Sequence, residues 1–206
     1  MARERMSTSD RRRELVDVAL EIIATRGIAA LSTRALAKEV GLSSGAIFRH
    51  FASLDALLEA IVDRVETILE RSFPSLELPG LERLERFVEA RGAAVERHPG
   101  IPRLVLSEQF LLALPADGSA RLSAVVKSTR DFIRDCIRDG QEEGDIRADV
   151  DAAALALVVM GSVQMHALSR AKPRARKREA RAVRAALATL LQTPARSQSS
   201  ARKART

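Results

Sequence analysis

The sequence is poor in the residues that build disulfides, metal sites and aromatic stacking surfaces. Its 206 residues include a single cysteine, Cys136, so no internal disulfide can form. The three histidines, His50, His98 and His166, lack the spacing of a zinc site. With six Phe and neither Trp nor Tyr, the chain also lacks the aromatic platforms on which single-stranded nucleic acids stack.

Long apolar runs and catalytic patterns are absent as well. No run of 18 apolar residues occurs and the N-terminus does not resemble a signal peptide, which predicts a soluble, cytoplasmic protein without membrane contact. Cys136 has no patterned histidine partner, and neither a carboxylate pair nor a glycine-rich phosphate loop stands out. We therefore expect no enzymatic activity, no metal and no cofactor.

The net charge of +7 is unevenly distributed. Residues 171–206 carry 11 Lys and Arg against one Glu, whereas residues 1–72 carry 11 side chains of each sign. Within the latter segment, residues 1–52 hold nine basic and six acidic side chains. The excess is therefore concentrated near the C-terminus, where it predicts a basic helix face followed by a disordered tail. Nonspecific DNA affinity is the alternative role for this tail.

Residues 33–51 have the pattern of two short helices joined by a tight turn. Leu36 and Val40 form the inner side of the first helix, and Ile47 and Phe51 anchor the second. Gly41 between them can adopt a positive φ, and Ser43 or Ser44 can cap the second helix. The preceding apolar stripe over residues 10–26 supplies a supporting helix. The pattern predicts a helix-turn-helix.

The outer side of this unit carries small, hydroxyl and cationic groups that can approach duplex DNA without steric or charge conflict. We predict that the DNA-binding residues are Thr33, Arg34, Ser43, Ser44, Gly45, Ala46, Phe48, Arg49 and His50. Arg49 could form a forked contact with a guanine edge. Thr33 could cap the first helix, contact a phosphate, or do both.

Residues 11–65 resemble the N-terminal domain of the TetR family of bacterial transcriptional repressors. The resemblance rests on an ordered series: Arg26-Gly27, Leu31-Ser32-Thr33, Ala37 to Gly41, Gly45, Phe48 to Phe51 and Leu57-Leu58. It implies that His50 contacts a phosphate and that Arg49 occupies a variable base-reading position. The chain departs from the family pattern at Phe48, where a Tyr hydroxyl usually contacts a phosphate, and at Leu54, where a Lys is common.

The sequence predicts an all-α protein of about nine helices, with an N-terminal three-helix DNA-binding domain and a C-terminal helical domain. We expect a flexible arm at 1–9, the DNA-binding domain at 10–52, an effector-binding and dimerisation domain at 53–192, and a disordered basic tail at 193–206. Residues 53–72 form the linking helix. Later helices are expected near 81–96, 101–114, 117–143, 149–170 and 176–192.

Two further sites are predicted in the C-terminal part. Inward-facing residues of the middle helices could line an effector pocket, although for each one a core or surface position is favoured over the pocket: Phe87, Arg91, Leu104, Phe110, Phe132, Cys136, Met160 and Gln164. The last two helices carry apolar and small residues that predict a four-helix dimer interface, as in the family: Gly161, Met165, Leu168, Val183, Leu187, Leu190 and Leu191.

These observations favour a homodimeric regulator that binds an operator in double-stranded DNA. By resemblance to the family, we expect a repressor released from DNA by a small apolar or amphipathic effector. The alternative is an effector-independent DNA-organising or cell-cycle protein on the same fold, for which the basic tail is the support.

Overall fold

The fold is described by a computed structural model that covers residues 7–114, 116–169 and 172–192. Within these residues the chain forms helices and no strand. The helices are α1 Thr8–Arg26, α2 Thr33–Glu39, α3 Ser44–Phe48, α4 Leu54–Glu70, α5 Gly80–Arg97, α6 Gly100–Val105, α7 Glu108–Ala113, α8 Ala116–Glu143, α9 Ala152–Ala167 and α10 Pro173–Leu191. A short 3₁₀ turn, Ile28–Ala30, follows α1.

The prediction of an all-α fold is confirmed, but the expected single helix over 101–114 is wrong. The structure divides it into α6 and α7, giving ten α-helices in the described part of the chain. Ser107 causes the break, because its backbone is extended and its Oγ accepts a hydrogen bond from the backbone N–H of Phe110 at 3.3 Å. A serine in this position starts a new helix instead of continuing the old one.

The first hydrophobic core joins the N-terminal helices to the middle of the chain. It contains Leu15 and Ile22 of α1, Ile47 of α3 and Leu57 of α4, all nearly or fully buried. Residues from α6, α7 and α8 belong to the same core: Ile101, Leu104, Phe110, Leu114 and Leu122. The predicted domain boundary after residue 52 therefore does not coincide with a gap in the hydrophobic packing.

Ion pairs reinforce this connection. Arg64 of α4 donates two hydrogen bonds to the carboxylate of Asp17 on α1, at 2.8 and 3.0 Å. Arg121 of α8 pairs with Asp63, at 2.6 Å, and with Glu66, both on α4. Planar guanidinium groups pair well with carboxylates in this two-point geometry. As a result, one turn in the C-terminal half of α4 is tied to both α1 and α8.

The second hydrophobic core lies among α5, α8, α9 and α10. It includes Leu84 and Phe87 of α5, Ile137 of α8 and Val159 of α9. Phe87 also packs against Phe73 and Phe132, with ring centroids 5.4 and 5.1 Å apart. No helix in the described residues is both long and apolar enough to cross a bilayer.

A glycine sets the distance between α1 and α6. A methyl group added at Gly100 would lie 2.3 Å from the carbonyl oxygen of Leu20, which is too close for any carbon atom. This backbone oxygen cannot move away without bending α1. The approach of α6 to the DNA-binding half therefore depends on the missing side chain at position 100.

We predict that Gly100→Ala lowers the free energy of unfolding by about 3 kcal/mol, because the two helices must separate. Gly92→Ala is the matched control, since its added methyl group meets nothing within 4 Å and alanine favours a helix interior by about 1 kcal/mol. Urea denaturation at equal protein concentration measures the free energy of unfolding of both variants. Equal midpoints for Gly100→Ala and the unmodified chain would contradict the close α1–α6 packing.

Candidate DNA-reading surface and effector cavity

The helix-turn-helix is built by serine caps and one left-handed glycine. Ser32 caps α2 and Ser43 caps α3, each accepting a backbone hydrogen bond, at 3.1 and 3.2 Å. Gly41 has φ +67°, as the sequence predicted. The backbone N–H of Leu42 donates to the carbonyl of Ala37 at 2.8 Å and closes the turn. Because Ser32 caps α2, the hydroxyl of Thr33 does not cap this helix.

The predicted DNA-binding residues lie along the N-terminus of α2 and along α3. Arg34, Ser43, Gly45 and Arg49 are exposed, and Phe48 exposes 50% of its surface. The remaining four are half-buried: Thr33, Ser44, Ala46 and His50. The anchoring residues Ile47 and Phe51 face the core. This exposed surface of α2 and α3 is called the reading surface below.

Cations without carboxylate partners accumulate on and beside the reading surface. Among the described residues, Arg34, Lys38 and Arg49 form no ion pair, whereas Arg26 pairs with Glu39 at 2.8 Å. Arg12 lies over the ring of Phe51, 4.8 Å from its centroid, which fixes a further cation near the end of α3. Unpaired cations on an exposed helix surface are suited to a polyanion.

A second site lies in the C-terminal half, around Arg91. This side chain is 6% exposed, yet within the described chain it has no ion-pair partner and its Nε has no hydrogen-bond acceptor. Its guanidinium donates one long hydrogen bond, 3.4 Å, to Thr129 and stacks near the rings of Phe73 and Phe87. Burial lowers the pKa of Arg91 to about 10, so it remains a cation at neutral pH.

Arg91 lines two neighbouring cavities. The smaller one, called the inner cavity because residues of the first core line it, has a volume of about 80 Å³ and is partly open to solvent. Its walls are almost entirely apolar and include Leu69, Phe87, Val95, Ile101, Val125, Ile133, Met160 and Gln164. The outer cavity, of about 310 Å³, lies between α5, α9 and α10. Arg91, Val95, Val163 and Ala167 contribute to both and form the partition between them.

Four of the eight predicted effector-pocket residues line the inner cavity: Phe87, Arg91, Met160 and Gln164. The other four do not: Leu104, Phe110, Phe132 and Cys136. Leu104 and Phe110 are fully buried in the first core. Phe132 packs edge-on against Phe73, at 5.0 Å, behind the cavity wall. Thr129 and Val163 also line the cavity and were not predicted, because their place in its wall depends on how α8 and α9 pack.

Cys136 belongs to a separate buried cluster with Arg83. The Arg83 side chain donates to Cys136 Sγ at 3.3 Å, to the carbonyl oxygen of Leu76 at 3.0 Å and to Asp139. Burial raises the pKa of the Cys136 thiol, and the nearby Arg83 offsets only part of the increase. A buried thiol of this kind is a structural residue and not a nucleophile.

The residues predicted for the dimer interface divide into two groups. Leu187 and Leu191 are buried in the chain's own second core, at 7% and 5% exposure. Met165 is 69% exposed on α9, and the other four are half-buried: Gly161, Leu168, Val183 and Leu190. Leu157 and Val158, both about two turns before Met165 on α9, are 66% and 48% exposed. The sequence prediction omitted these two.

Together the capped helix pair, its unpaired cations and the attached helical domain define a helix-turn-helix DNA-binding protein. The family model described as "Bacterial regulatory proteins, tetR family" matches residues 15–61. The model described as "Tetracyclin repressor-like, C-terminal domain" matches residues 81–192, which is more than half of the chain. The chain belongs to the TetR family of bacterial regulatory proteins.

Individual relatives agree with this assignment. The nucleoid occlusion factor SlmA of Haemophilus influenzae is 29% identical over 124 residues, 58% of this chain and 56% of that protein. SlmA of Aliivibrio fischeri is 31% identical over 106 residues, 50% of this chain and 54% of that one. The chain thus spans about half the length of these curated relatives. The ketosteroid transcriptional regulator KstR2 of Mycobacterium tuberculosis has a TM-score of 0.72 at 25% identity, covering 89% of this chain and 95% of that structure.

We predict that Phe48→Tyr strengthens binding to all duplex sequences about fivefold for each bound protomer, because an exposed hydroxyl at this position adds one phosphate hydrogen bond worth about 1 kcal/mol. Phe48→Leu adds no hydrogen-bond donor, so it should not increase the affinity for DNA. Fluorescence anisotropy with a specific and a random duplex measures both variants. A gain confined to one sequence would show that position 48 reads a base.

Proposed function

We propose that the protein is a homodimeric, sequence-specific transcription regulator that represses by occupying an operator. Its two α3 helices enter successive major grooves about 34 Å apart. The observation that carries this proposal is the set of unpaired cations, Arg34, Lys38 and Arg49, on a reading surface that bears no carboxylate without a basic partner. We assign DNA binding to residues 10–52 and effector binding and dimerisation to residues 53–192.

Control by a small apolar or amphipathic effector is supported by the position of the inner cavity. Leu69 of α4 and Ile101 of α6 line this cavity and also belong to the first core, which holds the reading surface. A molecule that pushes on these two side chains therefore acts on the packing of the DNA-binding half. Shifting such an equilibrium from 1:99 to 99:1 requires about 5.5 kcal/mol of differential binding.

The second candidate function is an effector-independent DNA-organising protein. The similarity to SlmA, a nucleoid occlusion factor, favours this reading. The predicted basic tail, its other support, lies at residues 193–206, outside the described residues, as does most of the predicted N-terminal arm. A DNA-organising protein would bind many sites, and truncation after Gln192 would abolish its function.

Selection of genomic DNA fragments by the purified protein, followed by sequencing at two salt concentrations, tests the proposal. A palindrome upstream of a few genes supports a specific regulator. Broad occupancy without a motif, falling steeply with salt, would favour the DNA-organising function, since that behaviour is typical of phosphate contacts alone.

We expect Arg49→Ala and His50→Ala to weaken binding in different ways. Loss of a forked Arg49 contact should relax preference at one base position, at a cost of about 1–3 kcal/mol on the preferred sequence. Loss of His50 should weaken all sequences about equally. Competition assays with single-base operator variants separate the two effects. Operator affinity unchanged in both variants would mean that α3 is not the recognition helix.

The exposed apolar side of α9 supports dimerisation. Leu157, Gly161 and Met165 succeed one another at intervals of four residues and so form a stripe along one face. Leu157 and Met165 are 66% and 69% exposed in the single chain. Gly161 permits close approach of a partner helix, because nothing lies within 4 Å of a methyl group added there. A second copy of the same helix would cover this stripe by two-fold symmetry.

We predict that Met165→Glu produces monomers and abolishes binding to a two-half-site operator, because two copies of the carboxylate would meet near the symmetry axis. Leu112→Glu is the control, since Leu112 is 80% exposed on α7 and is not part of the α9 stripe. Sedimentation velocity gives the oligomeric state. A dimeric Met165→Glu variant would place the interface elsewhere.

A further inference from the structure

Arg91 is a buried cation whose charge no described carboxylate neutralises. Its hydrogen-bonding potential is also largely unused, because Nε has no acceptor and the contact with Thr129 is long. Removing a guanidinium from water without an anionic partner is costly. The faces of Phe73 and Phe87 recover only part of that cost.

The surroundings of Arg91 indicate what kind of molecule could supply its missing hydrogen bonds and its missing negative partner. On one side lies the inner cavity, several times larger than the roughly 10–15 Å³ that one water molecule needs, and its walls are apolar except for Arg91, Thr129 and Gln164. On the other side lies the outer cavity, where four cations of α10 face Glu89 and Glu96 of α5: Arg176, Lys177, Arg181 and Arg184. The local charge on this side is positive.

We propose that the effector is an amphipathic organic anion: a short apolar body fills the inner cavity, and a carboxylate pairs with Arg91 at the partition. This inference rests on the proposed function and specifies the chemical class of its effector. The guanidinium can donate two parallel hydrogen bonds to a carboxylate, and Gln164 offers an amide as a further polar contact. The cations of the outer cavity attract the anion before it reaches Arg91.

The two glutamates of the outer cavity do not serve as the anion for Arg91. Glu89 and Glu96 line that cavity, but neither forms an ion pair with Arg91. His166 also lines it, and burial, together with nearby Arg176, lowers the pKa of this histidine. At neutral pH, a neutral His166 does not compete with Arg91 for the carboxylate of a ligand. The carboxylate of a ligand is therefore the group that the site lacks.

The test measures binding to the DNA-free protein, so its outcome does not depend on DNA binding. Straight-chain carboxylates from butanoate to decanoate are compared with the alcohols of equal chain length and with inorganic phosphate, at matched ionic strength, by thermal shift and calorimetry. The variants are Arg91→Met, which keeps the volume without the charge, and Arg86→Met on the same helix, where Arg86 is exposed and pairs with Glu82.

We expect at least one carboxylate to bind roughly tenfold or more tightly than its alcohol, and Arg91→Met to abolish this preference while Arg86→Met retains it. Arg91→Met should also raise the melting temperature of the ligand-free protein, because it removes an unpaired buried charge. Equal binding of carboxylates and alcohols, equal binding of phosphate, or a carboxylate preference that survives in Arg91→Met would overturn the proposal. If carboxylates bind as expected but no operator is found, only the proposed function fails.

Discussion

The close packing of α1 and α4 against α6 and α8 is the constraint on which the rest of the structure depends. Gly100 brings α6 against the backbone of α1, and the Arg64 and Arg121 ion pairs hold α4 between α1 and α8. The helices that carry the reading surface are consequently not a separate unit attached by a flexible linker. Their orientation is set by the same core that continues into the C-terminal half.

This arrangement explains how a small cavity far from DNA could control DNA binding. Leu69 and Ile101 face the inner cavity and are also members of the first core. A ligand that pairs with Arg91 and displaces either residue would strain the packing of the first core, and a rotation of the reading surface would relieve that strain. In a dimer, a small rotation of each surface changes the separation of two α3 helices that must fit grooves about 34 Å apart. The pairing of the ligand's carboxylate with the Arg91 guanidinium would supply the binding energy for this change.

The sequence predicted best what is determined by neighbours along the chain. The positive φ of Gly41 and the Ser43 cap follow from local rules for turns and helix starts, and the structure has both. Arg91 and Gln164 stood out as polar residues in apolar surroundings, and both line the inner cavity. The sequence could not reveal that Thr129 meets Arg91 or that Leu187 and Leu191 fill the chain's own core, because these facts depend on how separate helices pack. Ser107 is a local signal for a helix start, because serine favours the N-cap position, and it does cap α7.

The most direct test of this account is the dependence of binding on half-site spacing. Once an operator is selected, inserting about 5 base pairs, half a helical turn, between its half-sites turns one of them to the opposite side of the duplex. Because the core holds each reading surface rigidly, the affinity should fall to the nonspecific level, a loss of at least about 10³-fold, and should largely recover after insertion of a full turn. Unchanged affinity with the half-turn insertion would contradict it, since the two reading surfaces would then be independent of each other.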